Sequence, residues 1–300
     1  MPHIPLSEPS SPMVPPWDQG WLEVGDGHRL YYEQWGRRDG PVALVLHGGP
    51  GSGFSERLRS FFNPDQFRVI TFDQRGCGRS TPRGECRANT TAHLLADIEQ
   101  LRGSLGVARW LVVGGSWGAT LGLAYATRHA DRVSGLLLRS FFWPGASDIA
   151  RFFSIQPWYD WATQLMSEAI VQRHAAAQAW WLWEFLRSDA PHLRFPTLPE
   201  LDALCDRYRI QAHYLQHTCW LEAADLGFGA THLADLPMVF LHGSADQVCP
   251  LNSARRVHGW LAGSVWQTVP GVGHDPFHPA MAQAMREALQ RFGDTGQFRL

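Results

Sequence analysis

The sequence predicts an α/β architecture: a mostly parallel central sheet flanked by helices, with a helical cap inserted into it. Three observations predict it. Short apolar runs alternate with helix-length segments, each run ends in a glycine-rich turn, and strand patterning vanishes between residues 140 and 232. Runs that are apolar on both faces belong to buried parallel strands rather than to half-solvated antiparallel ones.

The elements follow in order. Met1 to Pro16 carries five prolines in its first fifteen residues and no apolar core. It therefore reads as an extended arm, assigned to residues 1–20, and not as a secretory leader. Trp21 to Trp35 alternates around Asp26-Gly27, the signal of an antiparallel hairpin. Val42 to Leu46, Phe67 to Phe72 and Trp110 to Val113 are buried strands, and Asn89 to Leu105 is the helix between the second and third of these. Its polar start offers an N-cap, and Leu94, Leu95, Ile98 and Leu101 recur at helical spacing. Gly135 to Leu138 continues the sheet, completing a first core segment over residues 21–139.

Residues 140–232 form the expected cap. Seven of the fourteen tryptophans lie there: Trp143, Trp158, Trp161, Trp180, Trp181, Trp183 and Trp220. Most of these rings are expected to fill the cap's own core, with one or two left for a pocket wall. A second core segment, residues 233–300, resumes with Pro237 to Leu241 and Thr268-Val269 and closes with a helix over Pro279 to Phe292.

Composition narrows the function. Lys plus Arg is 26 against 28 for Asp plus Glu, a formal charge of −2, with no basic cluster to engage nucleic acid. The apolar stretches are too short to cross a membrane. Five cysteines, odd in number and without C-x-x-C spacing, suit free thiols in the cytoplasm and no metal site.

The chemistry centres on Gly114-Gly115-Ser116-Trp117-Gly118, directly after a strand and before the helical run Ala119 to His129. This is G-x-S-x-G, in which small residues on either side of a serine permit a sharp strand-to-helix turn. A serine hydroxyl needs a base, and the base needs a carboxylate to orient it. On such scaffolds the acid follows the serine and the histidine comes last, each just after a strand. Asp246, in His242-Gly243-Ser244-Ala245-Asp246, and His274, in Pro270-Gly271-Val272-Gly273-His274, meet that order. Asp275 and His278 adjoin the base but are poorly placed to orient it, and His47 and His242 suit turn-stabilising bonds. The oxyanion donors expected are the backbone N–H groups of Trp117 and Gly49, since Pro50 has none.

Taken together, His47-Gly48-Gly49-Pro50-Gly51, Asp73-Gln74-Arg75-Gly76-Cys77-Gly78-Arg79-Ser80, the Ser116 turn through Leu121, and Asp246-Gln247-Val248-Cys249-Pro250 resemble the prolyl aminopeptidase (proline iminopeptidase) family of α/β-hydrolases. The resemblance runs from about residue 21 to the C-terminus, more loosely through the cap. It implies cofactor-free removal of an N-terminal residue, preferably proline, from small peptides, with Ser116 as nucleophile, Asp246 as orienting acid and His274 as base.

The family reads the substrate amine with glutamates in the cap. Glu184 stands for one of them. At the other, in Arg209-Ile210-Gln211-Ala212-His213-Tyr214, glutamine replaces the expected glutamate, and the segment before Glu184 is shorter than the family pattern. Both departures bear on the substrate. An ester or amide hydrolase with a neutral acyl pocket is the alternative, and a non-catalytic ligand-binding module a third reading. The partner expected is a small peptide or another small acyl substrate, and a monomer is compatible with the sequence.

Overall fold

The computed structural model describes residues 15–154, 157–187 and 194–299. Most of the proline-rich arm lies outside the described residues. Eight strands form one sheet: β1 (Asp18–Glu23), β2 (Arg29–Gly36), β3 (Val42–Leu46), β4 (Arg68–Phe72), β5 (Trp110–Gly115), β6 (Val133–Arg139), β7 (Met238–Gly243) and β8 (Val265–Val269). Their order is β1-β2-β4-β3-β5-β6-β7-β8. From β4 to β8 every neighbouring pair is parallel, while β1 and β2 pair antiparallel. The sheet agrees with the α/β class expected from the sequence.

The hairpin turns at Asp26 and Gly27, both at positive φ (55° and 80°), with His28 N–H closing onto the Gly25 carbonyl at 2.9 Å. Two left-handed central residues give the turn a twist that matches the strands. Strand β1 begins earlier than its pattern suggests, inside the segment read as arm. Asp18 and Gln19 have weak strand propensity, but cross-strand bonds hold them. The Asp18 carboxylate accepts from Gln34 Nε2 (2.5 Å), and Trp17 Nε1 donates to the Gly36 carbonyl (3.0 Å).

Helices α1 (Thr91–Ser104) and α2 (Trp117–Arg128) cover one face of the sheet, joined there by α7 (Leu251–His258). The closing helix α8 (Pro279–Thr295) covers the other. Between β6 and β7 the described chain contains no strand. It forms α3 (Ala146–Phe153), α4 (Trp158–Leu165), α5 (Ile170–Phe185) and α6 (Leu198–Gln216), followed by short 3-10 turns. In β3, Leu44 and Leu46 face the α1–α2 side while Ala43 and Val45 face α8, all buried. Each large side chain buried this way contributes roughly 1.5–3 kcal/mol.

The helical insertion has its own core. Trp158, Trp180 and Trp181 are buried there with Phe153 and Tyr208, and Trp161 and Trp183 pack at its edge. Trp143 and Trp220 pack instead against the main core. Helix α6 starts with a capping box in which Thr197 and Glu200 satisfy each other's backbone N–H. Thr90 is the N-cap of α1, but its hydroxyl bonds His93 Nδ1 (2.8 Å) rather than the helix backbone.

Candidate active site

Strand β5 delivers Ser116 to a turn with φ 57° and ψ −124°, and α2 begins at the next residue. A non-glycine residue held there stores about 1–3 kcal/mol of strain, so its surroundings must impose it. They do so through close backbone approaches. A Cβ on Gly114 would strike the Gly118 carbonyl, and one on Gly118 would strike the Leu46 carbonyl of β3. The Ser116 N–H donates to the Arg139 carbonyl (2.9 Å), and the Ser116 carbonyl accepts from Ala119 N–H (3.0 Å).

Asp246 and His274 come from the loops after β7 and β8. Those loops are tied together by Ser244 N–H to the Val269 carbonyl (3.0 Å) and Ala245 N–H to the Val272 carbonyl (2.9 Å). Asp246 is fully buried. Its Oδ1 accepts from the Val248 and Cys249 amides (2.9 and 2.8 Å), and its Oδ2 receives His274 Nδ1 at 2.8 Å. Burial pushes this carboxyl pKa upward, but His274, the backbone donors and His242 outweigh it and hold it well below the usual carboxylate range. An ionised Oδ2 requires the proton on His274 Nδ1, which leaves Nε2 as a base.

Ser116 Oγ lies 3.8 Å from Cys249 Sγ. Among the described residues that is its one side-chain partner, so the structure pairs Asp246 with His274 without closing a Ser116–His274 hydrogen bond. Such bonds commonly tighten only around substrate.

The glycine loop after β3 packs on the elbow. A methyl on Gly48 would stand 3.2 Å from the Gly115 carbonyl and 3.5 Å from Ser116 Cβ. Neither the Gly49 nor the Trp117 N–H has an acceptor among the described residues. Gln74 locks the loop in place. Its N–H donates to His47 Nε2 (3.0 Å), its Nε2 donates to the His47 carbonyl (3.0 Å), and its Oε1 accepts from Trp117 Nε1 (2.9 Å). His47 and His242 each stabilise a turn, the latter through Nε2 to the Cys249 carbonyl (3.0 Å). His278 caps α8, and Asp275 accepts from Phe277 N–H (2.9 Å).

Helix α6 crosses this end of the sheet. A Cβ on Gly51 (φ 97°) would run into the Arg207 carbonyl, and the Tyr214 ring meets Trp117 edge-on at 5.2 Å. Arg207, Gln211 and Tyr214 share the helix face that looks onto the elbow. From α5, Glu184 reaches the same face. Its Oε2 accepts from Arg207 Nη2 (2.8 Å) and Tyr208 Oη (3.0 Å), and its Oε1 from Gln211 Nε2 (3.1 Å). Burial works to raise the Glu184 pKa, but Arg207 with these donors holds it below the usual range.

The two residues expected to read the substrate, Glu184 and Gln211, are thus in contact. Three neighbours went unseen in the sequence. Gln74 sits in an otherwise expected loop. Arg139, at the end of a buried strand, offers its carbonyl to Ser116 and its Nη1 to the His274 carbonyl (2.8 Å). Arg207 pairs with Glu184. A lone arginine closing the apolar run Leu136-Leu137-Leu138 was the readable signal for Arg139; Arg207 and Gln74 had none.

A sharp serine turn after β5, with the acid and histidine loops after β7 and β8, defines the α/β-hydrolase class, and a family model for the alpha/beta hydrolase fold matches residues 41–280. Among relatives, a proline iminopeptidase of Xylella fastidiosa (strain 9a5c) is 39% identical over 94% of this chain and 98% of its own. One of Arabidopsis thaliana is 33% identical, covering 93% and 80%. A solved proline iminopeptidase-related protein of Thermus thermophilus is 26% identical with a TM-score of 0.60, covering 91% of this chain and 97% of its own. The chain belongs to the proline iminopeptidase family of α/β-hydrolases.

Among the described residues no helix is long and apolar enough to cross a membrane, and no cluster of His, Cys, Asp or Glu is placed to hold a metal ion.

Proposed function

We propose that this hydrolase is a serine aminopeptidase that releases N-terminal proline from small peptides through an acyl-enzyme. Ser116 attacks the carbonyl carbon of the first residue while His274 Nε2 takes its proton. The same imidazolium then protonates the leaving amine. Asp246 holds the ring and stabilises its charged form. The Gly49 and Trp117 amides receive the oxyanion, each worth roughly 3 kcal/mol of barrier. Water, activated by His274, then frees the amino acid. Residues 140–232 act as a cap over the site, with Glu184 and Gln211 at the amine end of the pocket. The five unpaired thiols fit a cytoplasmic enzyme, and no partner beyond a small peptide is called for.

The observation that carries this reading is the buried Asp246, bonded at 2.8 Å to His274 Nδ1 on the loop beside the serine turn. The test is turnover of prolyl arylamides, with Ser116→Ala as the blank. Hydrolysis of simple aryl esters without any aminoacyl arylamide would instead select an ester or amide hydrolase with a neutral acyl pocket. The Arg207–Glu184 ion pair is the observation that favours this second reading.

A further inference from the structure

Glu184 offers the pocket's only cap carboxylate named in the family pattern, and it is already engaged. The side chains of Glu184 and Arg207 are 14% and 11% exposed, and the arginine lies on its Oε2 at 2.8 Å. A guanidinium stays charged at every working pH, so the pair is neutral throughout. Gln211 adds no charge. Its amide must turn Nε2 toward the carboxylate, because the flipped amide would set oxygen against oxygen. Its Oε1 is consequently buried with no partner, as is Arg207 Nε.

Among the described residues, the other ionisable group in contact with this carboxylate is Tyr208, which burial keeps in its neutral form. Asp206, next to Arg207 in sequence, lies 3.3 Å from Arg83 instead. Among the described side chains, the amine end of the pocket therefore holds an unpartnered acceptor, Gln211 Oε1, beside an ion pair without net charge. A cation entering it would lose its hydration without gaining a counter-charge, whereas a neutral N–H would gain a hydrogen bond.

We propose that Arg207 is a specificity-determining residue that makes this site take the substrate's terminal amine in its uncharged form, held by Gln211. The proposal rests on the assignment of Glu184 and Gln211 to the amine end of the pocket. Prolyl amines titrate near pH 8, so the neutral form is a minor species near pH 6.5 and the major one at about pH 9.

The test is competitive inhibition of p-nitrophenyl acetate hydrolysis by prolinamide and by cyclopentanecarboxamide, its uncharged isostere. In the wild type, prolinamide near pH 6.5 should bind about tenfold or more weakly than the isostere, and the gap should close toward about pH 9 as the amine deprotonates. Arg207→Met should narrow the gap near pH 6.5 by about tenfold by freeing the Glu184 charge, and Arg207→Lys should keep it. Gln211→Glu, which adds charge at constant shape, should narrow it in the same direction and covers the case in which Arg207→Met does not fold. The isostere reports an intact pocket throughout, so lost packing alone would not move the ratio.

Prolinamide as the better inhibitor of the wild type near pH 6.5 would overturn the proposal. So would a gap indifferent to Arg207→Met and Gln211→Glu, or no inhibition by either amide. The aminopeptidase reading fails on a different result: no prolyl arylamide turnover at any pH, with the inhibition pattern intact.

Discussion

Two carboxylates, one in the core and one in the helical insertion, are buried in opposite ways. Asp246 meets two backbone amides and a histidine, none of which carries a permanent charge. Its own negative charge therefore remains available to stabilise an imidazolium. Glu184 meets a guanidinium, and its charge is cancelled where it stands. Burial alone does not tell a carboxylate whose charge stays available to a neighbour from one whose charge is cancelled in place. What distinguishes them is whether the compensating groups bring formal charge.

The largest effect should come from breaking the first arrangement. Asp246→Asn leaves the shape but removes the charge and favours the wrong His274 tautomer, so kcat/KM should fall about ten-thousand-fold on arylamides and esters alike. Stability provides a second readout. Because the folded pKa of Asp246 lies below its unfolded value of about 3.9, its stabilisation is present above that pH and is lost as the pH falls below it. In denaturant melts, the gap between wild type and Asp246→Asn should be widest at neutral pH and shrink below about pH 4. A gap independent of pH would mean that the carboxylate is not held in its charged form.

The next effect concerns a brace within the core, between the glycine loop and the serine turn. Gln74 is buried and joins His47 to Trp117, so Gln74→Leu strands polar groups on both sides at a cost of about 1–3 kcal/mol. Because both expected oxyanion donors ride on those segments, kcat should drop roughly tenfold to a hundredfold, with KM changing less. An unchanged kcat in a destabilised variant would separate the brace from the chemistry.

The same contrast explains what could be read from the chain. Ser116, Asp246 and His274 each close a buried strand in a glycine-bearing turn. Parallel strands must end at one edge of the sheet, so local signals were enough to bring Asp246 and His274 to hydrogen-bonding distance. Arg207 belongs to an ordinary-looking helix, Asp206-Arg207-Tyr208-Arg209, in which three charged residues look alike. Only the packing of α5 on α6 selects the one that meets Glu184, and helix–helix rotation is not written locally. Gln74 escaped notice because its partners are backbone groups brought together by the fold.

A smaller effect should follow from loosening α6 on the glycine loop. Gly51→Ala places a Cβ at φ 97° against the Arg207 carbonyl, so either the loop or the helix must give way. The cost should be about 1–3 kcal/mol in stability. Steady-state kinetics should show KM for prolyl arylamide rising several-fold more than that for a small aryl ester, since under the proposed function only the former reaches Glu184. Equal changes for both substrates would place the damage in the oxyanion loop instead.

The smallest effect tests how the helical insertion holds the face proposed to bind substrate. Glu200 at the start of α6 accepts from Arg194 and from the backbone and hydroxyl of Thr197, which brings its pKa down to about 2. A folded pKa below the unfolded value of about 4.3 means that this cap is at full strength above that pH and weakens as the pH falls toward 2. Being exposed, the contact is salt-screened and its loss should fray only the first turn. Amide exchange over Leu201–Leu204, taken relative to the intrinsic rate at each pH, should therefore quicken between about pH 5 and 3 in the wild type. In Glu200→Gln, which keeps a capping-box acceptor without the charge, that acceleration should be largely absent. Protection at the Asp246 loop, compensated by buried donors, should change less over the same interval. Parallel loss in both places would mean that the two carboxylates belong to one cooperative unit.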